Sequence, residues 1–192
     1  MINPAKIFGR LGNSLFQYAF IYAKYLRGEI PDYYLQDPKY FDDKRAEIRE
    51  LFGIDIPEPL DMVAIHIRRG GNPINPNEPN YSDNPFYINL IDDGYYERAM
   101  ALFPDADFLI FSDDIEWCKN YPSFAGCEFS EGKTELEDLN LMASCKGIIM
   151  GNSSFSWWGA YLGSDDKKVV APKGWYSDNI ERTKLLESWI TI

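Results

Sequence analysis

The chain has one histidine in 192 residues, His66, and its three cysteines, Cys118, Cys127 and Cys145, form no Cys-x-x-Cys pair. A zinc centre draws on several thiolates and imidazoles, so this set argues against a metal site. Three scattered cysteines do not read as a disulfide framework either, which points to a reducing, cytoplasmic setting. Basic residues are also short: 19 Lys and Arg stand against 30 Asp and Glu, for a formal net charge of -11. A nucleic-acid partner calls for a net basic face, so none is expected. A pocket for one small anion needs only two or three positive groups, and the acidic balance does not exclude it. No apolar run approaches the roughly 18 residues of a membrane span. The first residues, Met1-Ile2-Asn3-Pro4-Ala5-Lys6, lack the apolar core of a signal peptide.

What is present is apolar and aromatic, 45% and 16% of the chain. That is a globular composition, long enough for one domain or one domain with a small appendage. Pattern is weakest over residues 29–60, where Pro31, Pro38, Pro57 and Pro59 interrupt the chain. The expected organisation is therefore a small N-terminal region, residues 1–60, and a main domain, residues 61–192. In the first region Leu15 to Leu26 contains no Gly or Pro and stops at Arg27-Gly28. It reads as a helix capped by Asn13 or Ser14, entered through a tight turn at Gly9 and Gly12. A helix start behind a glycine turn favours an anion, although an ordinary capped core helix fits the same pattern. Asp42 to Phe52 reads as a second, amphipathic helix.

From residue 61 strands and helices alternate. Strands are expected at Met62–Ile67, Asp107–Phe111, Cys127–Ser130, Gly147–Met150 and Val169–Ala171. Helices are expected at Tyr95–Phe103, Ile115–Tyr121, Thr134–Ser144 and Phe155–Leu162, with a last one within Ile180–Trp189. Near-continuous apolar strands alternating with helices predict an α/β fold, a parallel sheet covered on both faces. Ligands of such sheets sit beyond the carboxyl ends of the strands. Three polar clusters fall at those ends: His66 to Gly71, Ser112 to Asp114, and Gly151 to Ser156.

In the first cluster Arg68 and Arg69 are adjacent, and a guanidinium fork matches phosphate oxygens. Either both hold one anion, or one does and the other pairs with a structural carboxylate. His66 shares the strand side of Arg68 and is either a ligand contact or a buried histidine that orients a neighbour. In Gly151-Asn152-Ser153-Ser154-Phe155-Ser156, hydroxyls and free N–H groups at a helix start suit a phosphate. Plain N-capping needs only one of those side chains. Trp157 and Trp158 read as core. Ser112-Asp113-Asp114 reads as the cap and first-turn acids of the next helix. Glu137 and Asp138 lie in the first half of the 134–144 helix, on a solvated face or facing a base such as guanine.

Taken in order, these stretches resemble a known family. Gly9-Arg10-Leu11-Gly12-Asn13-Ser14-Leu15-Phe16-Gln17-Tyr18-Ala19, His66-Ile67-Arg68-Arg69-Gly70, Phe111-Ser112-Asp113-Asp114-Ile115-Glu116-Trp117 and Asn152-Ser153-Ser154-Phe155-Ser156-Trp157-Trp158-Gly159-Ala160 look like the four motifs of the α-1,2-fucosyltransferases. The resemblance implies a GT-B-like glycosyltransferase with a Rossmann-like donor domain. It would move L-fucose from GDP-fucose to a hydroxyl of a glycan acceptor, with galactose O2 as the expected position, with inversion and without a required metal or cofactor. It further implies that Arg68, supported by Arg69, holds the donor pyrophosphate, with His66 beside the nucleotide. Asp138 would hold guanine, Ser154 and Phe155 the phosphates, and Asn13 would face the donor from the other domain.

Two departures from the family pattern bear on turnover. The acid that follows Arg-Arg-Gly in the family is Gly71 here, and only about fifty residues separate Asn13 from His66, far fewer than usual. Ser14 also replaces the usual glutamine. The alternatives are a donor-binding module impaired in catalysis and an enzyme using a different nucleotide sugar. Glu78 and Asp83, after the arginines, are the candidates for a catalytic base.

Overall fold

The computed structural model describes residues 11–27, 37–54, 58–70, 80–180 and 183–192. Six strands form one sheet: β1 (Leu60–Ile67), β2 (Phe108–Ser112), β3 (Glu128–Phe129), β4 (Cys145–Ile149), β5 (Lys168–Ala171) and β6 (Ile190–Thr191). Every neighbouring pair is parallel, in the order β3-β2-β1-β4-β5-β6. The order reverses between β1 and β4, and in doubly wound sheets the ligand crevice opens at that reversal. This is the parallel α/β sheet that the alternating pattern predicts, in the Rossmann-like form that the family resemblance implies.

The helices are α1 (Leu11–Arg27), α2 (Arg45–Leu51), α3 (Tyr95–Met100), α4 (Ile115–Lys119), α5 (Glu135–Ser144) and α6 (Ser154–Tyr161). β1 shows why both faces must be covered. Val63, Ile65 and Ile67 pack into one buried cluster with Tyr95, Tyr96 and Ala99 of α3 and Cys118 of α4. Ala64, on the opposite face, belongs to a second cluster built from α1, α5 and α6. A strand buried on both sides carries a near-continuous apolar run, which is what made it visible in sequence.

The second cluster is dominated by aromatics. Trp157 and Trp158 are both fully buried, as their adjacency suggested. Trp157 stacks on Tyr161 at 4.7 Å and meets Phe16 of α1 at 4.4 Å, while Phe41 stacks on Trp158 at 5.5 Å. The described residues of the first sixty thus share this core: Leu15, Phe16, Ala19, Ala23, Phe41, Ile48 and Ile54 are all part of it.

Three local expectations are corrected. α1 already includes Gly12 and Asn13, so neither Asn13 nor Ser14 is its cap and Gly12 is not in a turn. Gly12 instead lets two helices touch: a Cβ there would stand 2.4 Å from the backbone nitrogen of Phe155 in α6. Gly9 lies outside the described residues. The expected helix over 42–52 divides into a 3-10 turn at Asp42–Lys44 and α2. No helix forms among the described residues of 180–189. There the Lys184 carbonyl accepts from the buried Trp157 indole at 2.8 Å, which draws the segment over α6 before it becomes β6. Among the described residues no helix is long and apolar enough to cross a membrane.

Candidate active site

The carboxyl ends of β1 and β2 are in register, with Ile67 opposite Ser112. The next residues out are therefore Arg68 on one strand and Asp113 on the other, and the two form an ion pair. Asp113 also accepts from the backbone N–H groups of Arg69, at 2.9 Å, and Gly70, at 3.0 Å. Asp114 follows the capping expectation, accepting from Trp117 N at 3.2 Å at the start of α4. The Arg69 guanidinium lies over the Trp117 ring, 3.6 Å from its centroid, and 3.6 Å from an Asp114 oxygen. The two arginines thus diverge, as neighbours on a strand do. Each has a carboxylate partner from the β2–α4 turn, so Asp113 is not simply a helix-cap acid.

His66 is buried, and its ring centroid is 5.6 Å from that of Phe155. Burial, reinforced by the Arg68 charge, pushes its pKa down to about 3. The imidazole is therefore neutral near pH 7 and adds no positive charge to the clamp. Its Nδ1 has no hydrogen-bond partner among the described residues. Its carbonyl accepts from the Tyr96 hydroxyl at 3.1 Å. A Cβ on Gly151 would stand 2.9 Å from that carbonyl and 3.3 Å from Nδ1, so glycine is what lets β4 end against His66.

Across the switch point, α6 begins at the end of β4. Ser153 is its N-cap, accepting from Phe155 N at 3.3 Å. Ser156 is buried and donates to the carbonyls of Gly151 and Ser153. Ser154 donates to Asn13 Oδ1 at 2.6 Å, which joins the first turns of α6 and α1. Asn152 is also internal: its amide donates to the carbonyls of Ile88, at 2.9 Å, and Trp175, at 3.3 Å. The serine-rich block therefore divides. Asn152, Ser153 and Ser156 build the turn, and Ser154 and Phe155 stand at the helix start.

Asp138 sits near the N-terminus of α5, half-buried, where Ser130 beyond β3 donates to it at 2.6 Å. Burial raises its pKa, and the Ser130 hydrogen bond opposes that rise. Glu137 is occupied in a capping box with Thr134. Its carboxyl is held below the usual range by the backbone and side-chain hydrogen bonds of Thr134. Asp83 is exposed in the 3-10 turn Tyr81–Asp83. Gly71 and Glu78 lie outside the described residues. His66, Arg68, Ser154, Phe155 and Asn13 thus gather where β1 and β4 end, with Arg69 beyond β1 on the β2 side and Asp138 further along the same edge.

Sequence reasoning missed Tyr81. Its N–H donates to the Gly70 carbonyl at 3.4 Å and its hydroxyl to the Asn152 carbonyl, so one residue ties the end of β1 to the end of β4. Its ring stacks on Tyr87 at 3.8 Å and faces the Arg68 guanidinium at 5.5 Å. Nothing in its local sequence marks it; only the loop's return to the sheet does. A cavity of about 490 Å³ lies along the same edge beyond β5, among Ile88, Tyr95, Trp175, Tyr176 and Asn179, and no arginine of the clamp lines it.

This arrangement offers an anion one guanidinium and one helix start, with a neutral imidazole between them. An O-antigen biosynthesis glycosyltransferase of Escherichia coli, WbnK, is 30% identical over 184 residues, covering 83% of this chain and 59% of that protein. An alpha-1,2-colitosyltransferase of Escherichia coli is 34% identical over 187 residues, covering 82% of this chain and 60% of that protein. A galactoside alpha-(1,2)-fucosyltransferase 2 of Rattus norvegicus is 24% identical over 162 residues, covering 80% and 44%. The chain therefore spans at most 60% of the length of these relatives. No solved structure matches it. The model of glycosyl transferase family 11 matches residues 8–192, and the chain belongs to that family.

Proposed function

We propose that this chain binds a GDP-linked deoxy sugar at the β1–β4 switch point and transfers the sugar, with inversion, to a hydroxyl of a glycan acceptor. GDP-fucose is the donor of the primary reading and galactose O2 the acceptor position. The observation that carries it is the Arg68 guanidinium beyond β1, next to the end of the paired strand β4, where the starts of α6 and α1 are joined. In the transfer, the bond from the anomeric carbon to the diphosphate oxygen breaks as the acceptor hydroxyl attacks the opposite face. Negative charge grows on the departing GDP, and Arg68 with the start of α6 stabilises it. Arg68 is the catalytic residue in this reading. Asn13, His66, Arg69, Asp138, Ser154 and Phe155 bind or frame the donor, with Asp138 receiving the guanine edge. The scheme takes no step through a metal ion.

A second reading changes the sugar. The relative named for colitose transfer is 34% identical to this chain, above the 24% of the fucosyltransferase. The reading predicts the same nucleotide and the same clamp with a more reduced sugar. A titration with GDP, UDP and ADP tests the nucleotide, and a comparison of GDP-fucose with GDP-linked colitose tests the sugar. Binding of GDP no tighter than UDP or ADP overturns the guanine reading. Normal GDP binding by Arg68→Ala overturns the clamp.

A further inference from the structure

We propose that Asp113 is a positioning residue for the donor diphosphate: one carboxylate aims Arg68 and sets the turn that follows it. The inference rests on the reading of Arg68 as the diphosphate clamp. Both oxygens of Asp113 are engaged, and on different targets. Oδ2 pairs with the Arg68 guanidinium, while Oδ1 accepts from the N–H groups of Arg69 and Gly70 at 2.9 and 3.0 Å. The carboxylate therefore ties the side chain of one residue to the backbone of the next two. The β1–β2 register brings it there, since Ile67 stands opposite Ser112.

Gly70 completes the fit. A Cβ at position 70 would stand 2.9 Å from Asp113 Oδ2, so a larger residue would press the carboxylate away from Arg68. Asp114 is committed elsewhere, to the cap of α4 and the flank of Arg69. A guanidinium carries five N–H donors, so one carboxylate can hold it without consuming it. The Arg68 side chain is only 13% exposed, and fixing its direction before the donor arrives removes ordering cost from binding.

The charge of Asp113 also repels a phosphate, so the sign of its effect is the test. GDP binding is measured by calorimetry for the wild type, Arg68→Ala, Asp113→Ala, Asp113→Asn and the Arg68→Ala/Asp113→Ala pair, with thermal melting beside each. Asp113→Ala is expected to weaken GDP roughly tenfold, a typical size for a coupled contact. Asp113→Asn keeps an acceptor for the turn and is expected to fall between it and the wild type. In the Arg68→Ala background, removing Asp113 is expected to change GDP affinity by less than about twofold. That non-additivity separates positioning from a loss of general stability, which would add.

Tighter GDP binding by either single Asp113 variant overturns the proposal, because the carboxylate then opposes the phosphate. Additive losses in the pair overturn it too. If Asp113→Ala fails to fold, Asp113→Asn carries the same two tests. Normal GDP binding by Arg68→Ala refutes the clamp itself; a weakened Arg68→Ala beside an unchanged Asp113→Ala refutes only this inference.

Discussion

At the amino edge of the sheet, three cations close the C-terminal ends of α5 and α6. Lys167 is buried and donates to the carbonyls of Met142, Ala143 and Gly159. Arg45 donates to Tyr161 O at 2.7 Å and Gly163 O at 3.0 Å, and Arg49 to Leu162 O at 2.9 Å and Gly163 O. These are the orphan carbonyls of a helix end, and cations there also meet the favourable end of the helix dipole. At the carboxyl edge the pattern is inverted. Helix starts gather, and His66 Nδ1 and Arg69 Nε are buried without a hydrogen-bond partner among the described residues. One edge satisfies its polar groups internally; the other holds polar groups in reserve, at a cost in stability that a ligand can recover.

The sharpest way to break this contrast is at Lys167. Burial pushes its ammonium pKa down to about 7, and the carbonyl oxygens around it favour the charged form. Lys167→Met removes the shared donor from helix-end carbonyls and leaves them buried. Urea unfolding should show a loss of about 3 kcal/mol, while the GDP affinity of the folded protein stays within about twofold. A large drop in GDP affinity at unchanged stability would mean that the edges are not separable.

Arg68 is the opposite case. Charge-assisted hydrogen bonds are each worth about 1.5–3 kcal/mol, so Arg68→Ala should weaken GDP binding by roughly ten- to a hundredfold. Its unfolding free energy should move by less, about 1 kcal/mol, because the residue stands beyond the end of β1 and in neither hydrophobic cluster. Calorimetry and urea unfolding on one preparation compare the two. A stability loss exceeding the affinity loss would assign Arg68 to the structural edge.

Acid should expose the carboxyl edge specifically. His66 is held neutral with a pKa near 3, against an ordinary value of 6.5. Between these values the unfolded chain binds the proton and the folded one does not, so stability falls as pH drops from about 6.5 toward 3. The linkage amounts to about 2 kcal/mol at pH 5. His66→Asn, which has no titrating ring, should flatten that part of the stability profile. A His66→Asn profile parallel to the wild type between pH 6.5 and 5 would show that the imidazole is not the group responsible.

The same contrast explains what the sequence made legible. β1, β2 and β4 were visible because burial on both faces demands unbroken apolar runs, and the residues beyond them were visible because polar clusters ended those runs. Arg68, His66, Ser154 and Asp138 could be named on that ground together with the family motifs. Asp113 was named only as a cap, because its partners are 43 to 45 residues earlier and reach it through strand register. Tyr81 was invisible for the same reason, its hydroxyl bonding a carbonyl 71 residues away. Gly12 was read as a turn former because glycine usually signals backbone freedom, whereas here it makes room for another helix. The helix expected before β6 failed because a tertiary contact, the Trp157 indole on the Lys184 carbonyl, outweighed local preference.

The smallest predicted effect tests whether Ser154 belongs to the reserve or to the scaffold. Its hydroxyl donates to Asn13 at 2.6 Å, directly where α1 crosses α6 at Gly12. As a tie alone, it is worth about 1 kcal/mol of stability, and Ser154→Ala should then leave GDP affinity untouched. As part of the anion site, it rotates or shares its proton when phosphate arrives, and the Asn13 contact is what holds it ready. The second description is expected to hold: Ser154→Ala should lose about 1 kcal/mol in urea unfolding and also roughly threefold in GDP affinity. Asn13→Ala is the control, because it removes the tie while leaving the Ser154 hydroxyl in place. Its GDP affinity should fall by less than that of Ser154→Ala. Equal losses in the two variants would make the pair a hinge between helices and would move Ser154 to the internally satisfied side of the comparison.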